Sequence, residues 1–295
     1  MKDTMRIGTI FQNNWVKLIK ETKQYGFECY SLAFWEKIGN IDLKEMAKQC
    51  KEAIGDDDII ISTLSLSANP LSSAAKWSHA VTDWERMIDA AQYFGTNVVT
   101  GFTGRVEDVS IDKNIPKYTE VFSELAKRAE AQGVKIAFEN CGMGGNWYRG
   151  EWNIAHDPVC WEMMFNAVNS DVLGLEWEPC HQMCNLIDPI PQLRKWAKKM
   201  WHIHGKDATV KWDVIKEYGI GGKMNYAQNR TPGFGDSNWA DIISILRENN
   251  FKGTIDIEGY HDPVYRGELE MMGQVRSLNY LKECRGGTFY PYPEV

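Results

Sequence analysis

The sequence has no cysteine framework, no basic block and no long apolar run. Its seven cysteines, in 295 residues, are odd in number and scattered. A disulfide scaffold is therefore excluded, and reduced thiols in a cytoplasmic setting are expected. Lys and Arg total 33 against 40 Asp and Glu, a formal net charge of −7. Such a chain lacks the electrostatic footprint of a phosphate-backbone binder, so no nucleic-acid partner is expected. The longest apolar stretches, such as Ile59-Ile60-Ile61 between Asp58 and Ser62, fall far short of the ~20 residues that span a bilayer. Met1 to Arg6 shows no apolar signal region ahead of a cleavage site. No Pro/Ser-rich linker or low-complexity tract divides residues 1–295. A single domain is expected, although roughly 150 residues per domain is the usual prior. A Gly-rich phosphate loop is also missing: Gly8-Thr9-Ile10-Phe11-Gln12 after the first apolar run is not one, which argues against a doubly wound dinucleotide fold.

What is present is a large core. Hydrophobic residues make up 43% and charged residues 25%, ordinary for a globular protein. The 12 Trp fit either a core or the walls of a sugar pocket. A weak pattern recurs in which a helical stretch ends in Gly and a short apolar run follows. It is seen at Tyr25-Gly26-Phe27, Phe94-Gly95-Thr96, Gln132-Gly133-Val134 and Lys252-Gly253-Thr254. Gly after a helix tolerates the left-handed conformation that stops it, and the apolar run then reads as a buried strand. Strands are expected at about 5–10, 27–33, 59–66, 97–103, 134–139, 172–178, 200–206 and 254–259. Helical patterns fill the gaps, among them Trp15–Tyr25, Leu43–Ile54, Trp77–Phe94, Tyr118–Gln132, Trp161–Val168, Trp239–Asn249 and Leu269–Cys284. Alternating strands and helices imply parallel strands with right-handed crossovers. Eight such units predict an α/β fold, a (β/α)8 TIM barrel.

Active sites of such barrels form at the C-terminal ends of the strands. Strand five ends Phe138-Glu139-Asn140, strand six Glu176-Trp177-Glu178-Pro179-Cys180-His181, strand seven His202-Ile203-His204-Gly205-Lys206-Asp207, and strand eight Asp256-Ile257-Glu258. Strand side chains alternate with period two, so Glu176 and Glu178 share a face, as do His202, His204 and Lys206, and as do Asp256 and Glu258. If these faces point inward, Glu139, Glu178, Glu258 and His204 converge. Three buried carboxylates repel one another and stay partly protonated without a cation, and a divalent metal resolves that. Oxygen-rich ligation with one imidazole suits a hard ion. Mn2+ is the expectation, with Mg2+, Co2+ and Zn2+ as the other candidates. Any one strand-end Glu is most often a helix cap or salt-bridge partner, and a lone His most often structural, but four such groups on consecutive strand ends are not explained that way. Glu176, His202 and Asp256, one layer deeper, are expected to form a hydrogen-bonded layer supporting the ligands. Cys180-His181-Gln182-Met183-Cys184 lacks the second Cys/His pair of a zinc knuckle.

These pieces, together with Arg230-Thr231-Pro232-Gly233-Phe234-Gly235-Asp236, resemble the xylose isomerase-like TIM-barrel superfamily, in its sugar (phosphate) isomerase/epimerase branch, over nearly the whole chain. The resemblance implies metal ligands at Glu139, Glu178, His204 and Glu258 and substrate contacts from His181 and Arg230. The chain departs from the pattern at Glu178, where the family usually has Asp. Asn229-Arg230 also comes later after the metal-binding His than in the ketose 3-epimerases, and Glu151 is the only carboxylate in the neighbourhood where they carry a Glu. Both argue against transferring ketohexose specificity. Endonuclease IV relatives share the barrel but use three zinc ions and more His than the six here.

The implied chemistry is proton abstraction next to a carbonyl through a metal-stabilised enediolate, with Glu139 and Glu258 as the pair that removes and returns the proton and His181 assisting. Lys206 either contacts the substrate or is tied up with Asp207 or Asp256. The same site fits a lyase: dehydration of an inosose-type ketone, or cleavage of a 3-keto C- or O-glycoside with a small partner subunit. A barrel that only binds sugar is the non-enzyme alternative. The loop Cys141–Asn153, with Trp147, Tyr148 and Trp152, reads either as a lid or aromatic platform for a sugar or glycoside, or as a packing loop. The tail Phe289-Tyr290-Pro291-Tyr292-Pro293 is expected to pack on a neighbouring subunit of a homo-oligomer or on its own barrel.

Overall fold

A computed structural model describes residues 5–259 and 261–287; the aromatic tail at 289–293 lies outside them. Eight parallel strands close a barrel: β1 Ile7–Phe11, β2 Cys29–Trp35, β3 Ile60–Ser67, β4 Val98–Gly101, β5 Lys135–Glu139, β6 Leu173–Trp177, β7 Met200–Gly205 and β10 Ile255–Ile257. Around the barrel the order is β1-β10-β7-β6-β5-β4-β3-β2, so chain order is spatial order, as the short crossovers of a (β/α)8 fold require. All eight predicted strands are present; β1, β2 and β3 begin and end one or two residues later than expected, and the other five are one to three residues shorter.

Helices cover the outside: α1 Trp15–Thr22, α2 Leu43–Ile54, α3 Ala80–Phe94, α4 Ile111–Gln132, α5 Pro158–Ala167, α6 Pro179–Cys184, α7 Pro189–Trp196, α8 Trp212–Tyr218, α9 Trp239–Glu248 and α10 Glu270–Arg285. The stop signals act as read for α3 and α4, whose caps Gly95 and Gly133 have φ of 75° and 67°. Before β10 the left-handed position falls to Asn250 (φ 56°) instead of Gly253. Helix α4 starts seven residues before the predicted Tyr118 and carries Pro116 inside its second turn, where the missing N–H leaves one intrahelical bond unmade. The N-cap of α9 is Asn238, whose side chain accepts from Asp241 N. Five elements escaped the pattern: the helices α6, α7 and α8 and an antiparallel pair, β8 Asp207–Val210 with β9 Ala227–Arg230.

Most tryptophans are core. Trp84, Trp161, Trp177 and Trp239 are fully buried with Phe122 and Phe138. The barrel interior is different: His202 bonds Glu176 and Asp256, and Asp256 takes Ser62 Oγ from β3. That polar crossing needs room at β1. A Cβ on Gly8 would collide with the Cys29 carbonyl and the Asp256 carboxylate, which explains why glycine pairs with Asp256 in the ladder.

Candidate metal centre and active site

The deep layer forms as expected. His202 Nδ1 lies 2.7 Å from Glu176 Oε1 and its Nε2 2.6 Å from Asp256 Oδ2. Asp256 is further held by Ser62 Oγ at 2.6 Å and Cys29 Sγ at 3.1 Å. Burial opposes a charge on His202, but Asp256 and Glu176 on either side raise its pKa above the ordinary histidine value. Burial likewise opposes the Glu176 carboxylate, yet His204 and His202 bring its pKa down to about 2. The layer is thus a buried imidazole with both ring nitrogens paired to acidic side chains, as buried polar groups require, while Glu176 Oε2 is left without a partner.

This layer orients the one above. Glu176 Oε1 also stands 3.0 Å from His204 Nε2, which leaves His204 Nδ1 facing the mouth. That nitrogen lies 3.4 Å from Glu258 Oε2, 4.0 Å from Glu139 Oε1 and 4.0 Å from Glu178 Oε2. Ligands about 2.1 Å from one ion stand about 3.0 to 4.2 Å apart, depending on the angle between them. The three separations fall in that window. One ligand atom each of Glu139, His204 and Glu258 lie within 4.8 Å of one another. His204 Nδ1, Glu258 Oε2 and both Glu178 carboxylate oxygens are buried without a well-aligned hydrogen bond, as are His204 Nε2 and Glu176 Oε2 beneath them, and such a cluster of unpaired buried polar atoms calls for a partner. The donor set therefore fits a divalent metal ion.

Glu178 is the looser member. It is fully buried at the end of β6, where Asn140 clamps its backbone: Asn140 Oδ1 accepts from Glu178 N at 2.8 Å and Asn140 Nδ2 donates to Glu178 O at 3.0 Å. Its Oε1 is turned toward His181 Nε2 at 2.5 Å and Lys206 Nζ at 3.8 Å. The longer Glu arm, where an Asp is usual, brings Oε2 to the metal side and leaves Oε1 to these neighbours.

Charge is distributed unevenly over the carboxylates. Burial pushes the Glu139 carboxyl well above the ordinary range, with partial relief from His204 and added repulsion from Glu258. Burial acts on Glu258 too, but Lys206 at 3.0 Å, then His204 and His261, hold it well below that range. Lys206 is buried, and Glu178 and Glu258 keep it charged. The two candidate proton carriers thus differ in environment, a pattern that separates acid and base roles.

A cavity of about 770 Å³ opens over this centre, lined among others by Glu139, His181, His204, Lys206 and Glu258. The expectation that Lys206 pairs with Asp207 or Asp256 does not hold: Lys206 bonds Glu258 and approaches His181 Nε2 at 3.3 Å, while Asp207 accepts from Ala208, Ser237 and Trp239. Two predicted substrate contacts lie off the cavity lining. Arg230, on β9, is turned to Asp262 at 3.0 Å, because the β8–β9 pair places it above the Pro232-Gly233 turn. Trp147 packs on the core, and its carbonyl is taken by Arg105 Nη2 at 3.2 Å. The Cys141–Asn153 loop is tied down at both ends. Arg105 Nη1 donates to Asn146 O at 2.7 Å, and Asn153 Nδ2 to Glu139 O and Cys141 O at 2.8 Å each. Its contribution to the cavity is the turn Cys141–Gly145, and Glu151 is exposed away from it. Lining residues not expected from the sequence include Trp35, Ser65, Ser67 and Phe102. Period-two alternation from the ends of β2 and β3 would have found Trp35, Ser65 and Ser67.

With fold and centre in place, the class is a metal-binding TIM barrel. The family model of xylose isomerase-like TIM barrels matches residues 19–284, and the chain belongs to that family. Among curated relatives, an inosose dehydratase of Clostridium tetani is 32% identical over 167 residues, 55% of this chain and 51% of the relative; one of Clostridium beijerinckii is 27% identical over 172 residues, 56% and 52%. The chain spans about half the length of the curated relatives it matches. Among solved structures, a 3-keto-D-glucoside 4-epimerase from E. coli superposes with a TM-score of 0.69 at 16% identity over 95% of this chain and all of that one. The IOLI protein with a bound zinc atom superposes at 0.66, with 18% identity over 95% and 96%. Both show the same fold. Among the described residues no helix is long and apolar enough to cross a membrane.

Proposed function

We propose that this chain is a divalent-metal-dependent sugar isomerase or epimerase that removes a proton next to a carbonyl. The observation that carries the reading is the pairing of Glu139 and Glu258 around His204 Nδ1, one carboxyl pushed up by burial and the other held ionised by Lys206. Glu139, His204 and Glu258 hold the metal, with Glu178 completing the set. When bound, the ion polarises the carbonyl and neutralises negative charge that develops on oxygen. Glu258 is ionised and accepts the proton. Glu139 is the group that returns one. His181 and Lys206, 3.3 Å apart at the cavity wall, orient sugar hydroxyls. The pinned Cys141–Asn153 loop keeps the site narrow.

Mn2+ is the reading for the ion, since three carboxylates and one imidazole suit a hard cation; zinc in the IOLI structure makes Zn2+ the competitor. The substrate is a keto-sugar, bound without nucleic acid or membrane, and the chain acts as a homo-oligomer. Free thiols at all seven cysteines support a reducing, cytoplasmic setting.

A second reading has its own support, the dehydratase relatives. Removal of the same proton places charge where a β-hydroxyl leaves, and Lys206 or His181 supplies the proton that departs with it as water. A glycoside lyase with a small partner subunit is the further variant of this reading. Incubation with keto-sugars in D2O tests both. Epimerisation keeps the formula and puts deuterium at one carbon; dehydration lowers the mass by one water. If the metal-loaded protein exchanges no proton of any keto-sugar or inosose, the proposal fails.

A further inference from the structure

Half of the cavity carries no acid or base. In the ring of strands β2 lies directly opposite β6. The β5, β6, β7 and β10 side supplies Glu139, His181, His204, Lys206 and Glu258. The β1–β4 side supplies Ile10, Ala33, Trp35, Ser65, Ser67 and Phe102. The site is therefore split into a charged wall for a polar head and an apolar wall facing it.

Trp35 dominates the apolar wall. It is the one tryptophan among the described lining residues, and 45% of its surface is exposed. A large aromatic open to a cavity offers a flat apolar face on which a ligand ring can stack. The ring is braced from behind. Trp152 lies against it at 5.3 Å with a 33° tilt, and Trp152 is itself held edge-on by Trp77 at 5.1 Å and Phe102 at 6.3 Å. One face of Trp35 is thus fixed by a buried aromatic stack, and the rest is offered to the cavity. Beside it, Ser65 and Ser67 on β3 share one side of their strand and bring hydroxyls to the same wall. The volume, about 770 Å³, sits in the upper part of the ~300–1,000 Å³ range that holds drug-sized ligands. Because β2 stands across the ring from β6, a ligand held at the carboxylates has Trp35 on the opposite wall of the same cavity.

The geometry points to a two-ring substrate: a sugar whose reacting carbon meets the carboxylates and whose glycosidically linked second ring stacks on Trp35. This inference rests on the keto-sugar reading above and names its substrate class. The shared chemistry of the second ring is a flat apolar face, either the C–H face of another pyranose or an aromatic aglycone. Trp35 then sets specificity and takes no part in proton transfer.

The test is calorimetric titration of the Mn2+-loaded protein with methyl β-D-glucoside, phenyl β-D-glucoside and cellobiose, repeated on W35F and W35A. At least one two-ring ligand should bind tenfold or more tighter than the methyl glucoside. W35F should keep most of that preference and W35A should reduce it to within twofold. A preference for phenyl alone assigns an aromatic aglycone, and one for cellobiose alone a second sugar. Equal binding of all three ligands, binding of none, or a preference unchanged in W35A with W35F as the folded control overturns the inference. Deuterium uptake from D2O into a one-ring keto-sugar by the wild type is measured alongside. Uptake without a ring preference removes only the two-ring inference. No uptake removes the chemistry, while a Trp35-dependent preference would still establish the subsite.

Discussion

Glu176 Oε1 stands 3.0 Å from His204 Nε2, and this contact decides which nitrogen of the imidazole is left for a cation. Glu176 also holds His202 at 2.7 Å, so one carboxylate orients both histidines of β7. Substituting Glu176→Gln should lower metal affinity by about 10–100-fold, the usual cost of losing a group that orients a ligand. Titration of the apoprotein with Mn2+ checks this. Unchanged affinity would mean that His204 is oriented by something else.

Glu258 divides its two oxygens among three neighbours. Oε1 meets Lys206 at 3.0 Å and His261 at 3.3 Å, and Oε2 meets His204 Nδ1 at 3.4 Å. Glu258→Gln should abolish metal-dependent proton exchange while the far-ultraviolet circular dichroism stays that of the wild type. Retained exchange would remove Glu258 from the chemistry.

Lys206 is the main reason, against the effect of burial, that Glu258 stays ionised. Lys206→Met removes that support, so the Glu258 pKa rises. A base must be ionised to accept a proton, so the acidic limb of the kcat/KM profile should move to higher pH in the variant. A profile that keeps its acidic limb in place would show that another group sets it.

Far from the cavity, Glu28 ties the last helix to the start of β2 through Arg285, with contacts of 2.6 and 2.9 Å. Partial burial raises its pKa, but the bonds from Arg285 and from Ile7 N outweigh this and leave the pKa lowered. The contribution to stability is then present above the unfolded-state value near ~4.3 and is lost as pH falls through the lower folded-state value. Glu28→Gln should cost about 2 kcal/mol at neutral pH and lose that difference on acidification. Urea unfolding at several pH values reads both.

The barrel was legible because its signals are local. Gly95 and Gly133 stop helices, and apolar runs of the right length follow each. The ligand positions were legible because Glu139, His204 and Glu258 terminate or just follow such runs. Other features depend on approach in space. Arg230 precedes a promising turn motif, yet it ends β9 of the β8–β9 pair, whose short polar strands carry little hydrophobic signal, and bonds Asp262. Trp147 sits in a loop rich in Gly and aromatics, yet the buried Arg105 fixes that loop from a different segment. Trp35 lies beyond the expected end of the second strand at 33, and only the closed ring of strands, with β2 extended to Trp35, puts it across from His181.

The most direct test is anomalous diffraction from crystals grown with Mn2+. One strong peak should lie within bonding distance of Glu139, His204 and Glu258, with Glu178 as the fourth protein ligand, and it should vanish in His204→Ala. No peak among these side chains, or a peak that persists unchanged without His204, would contradict the account.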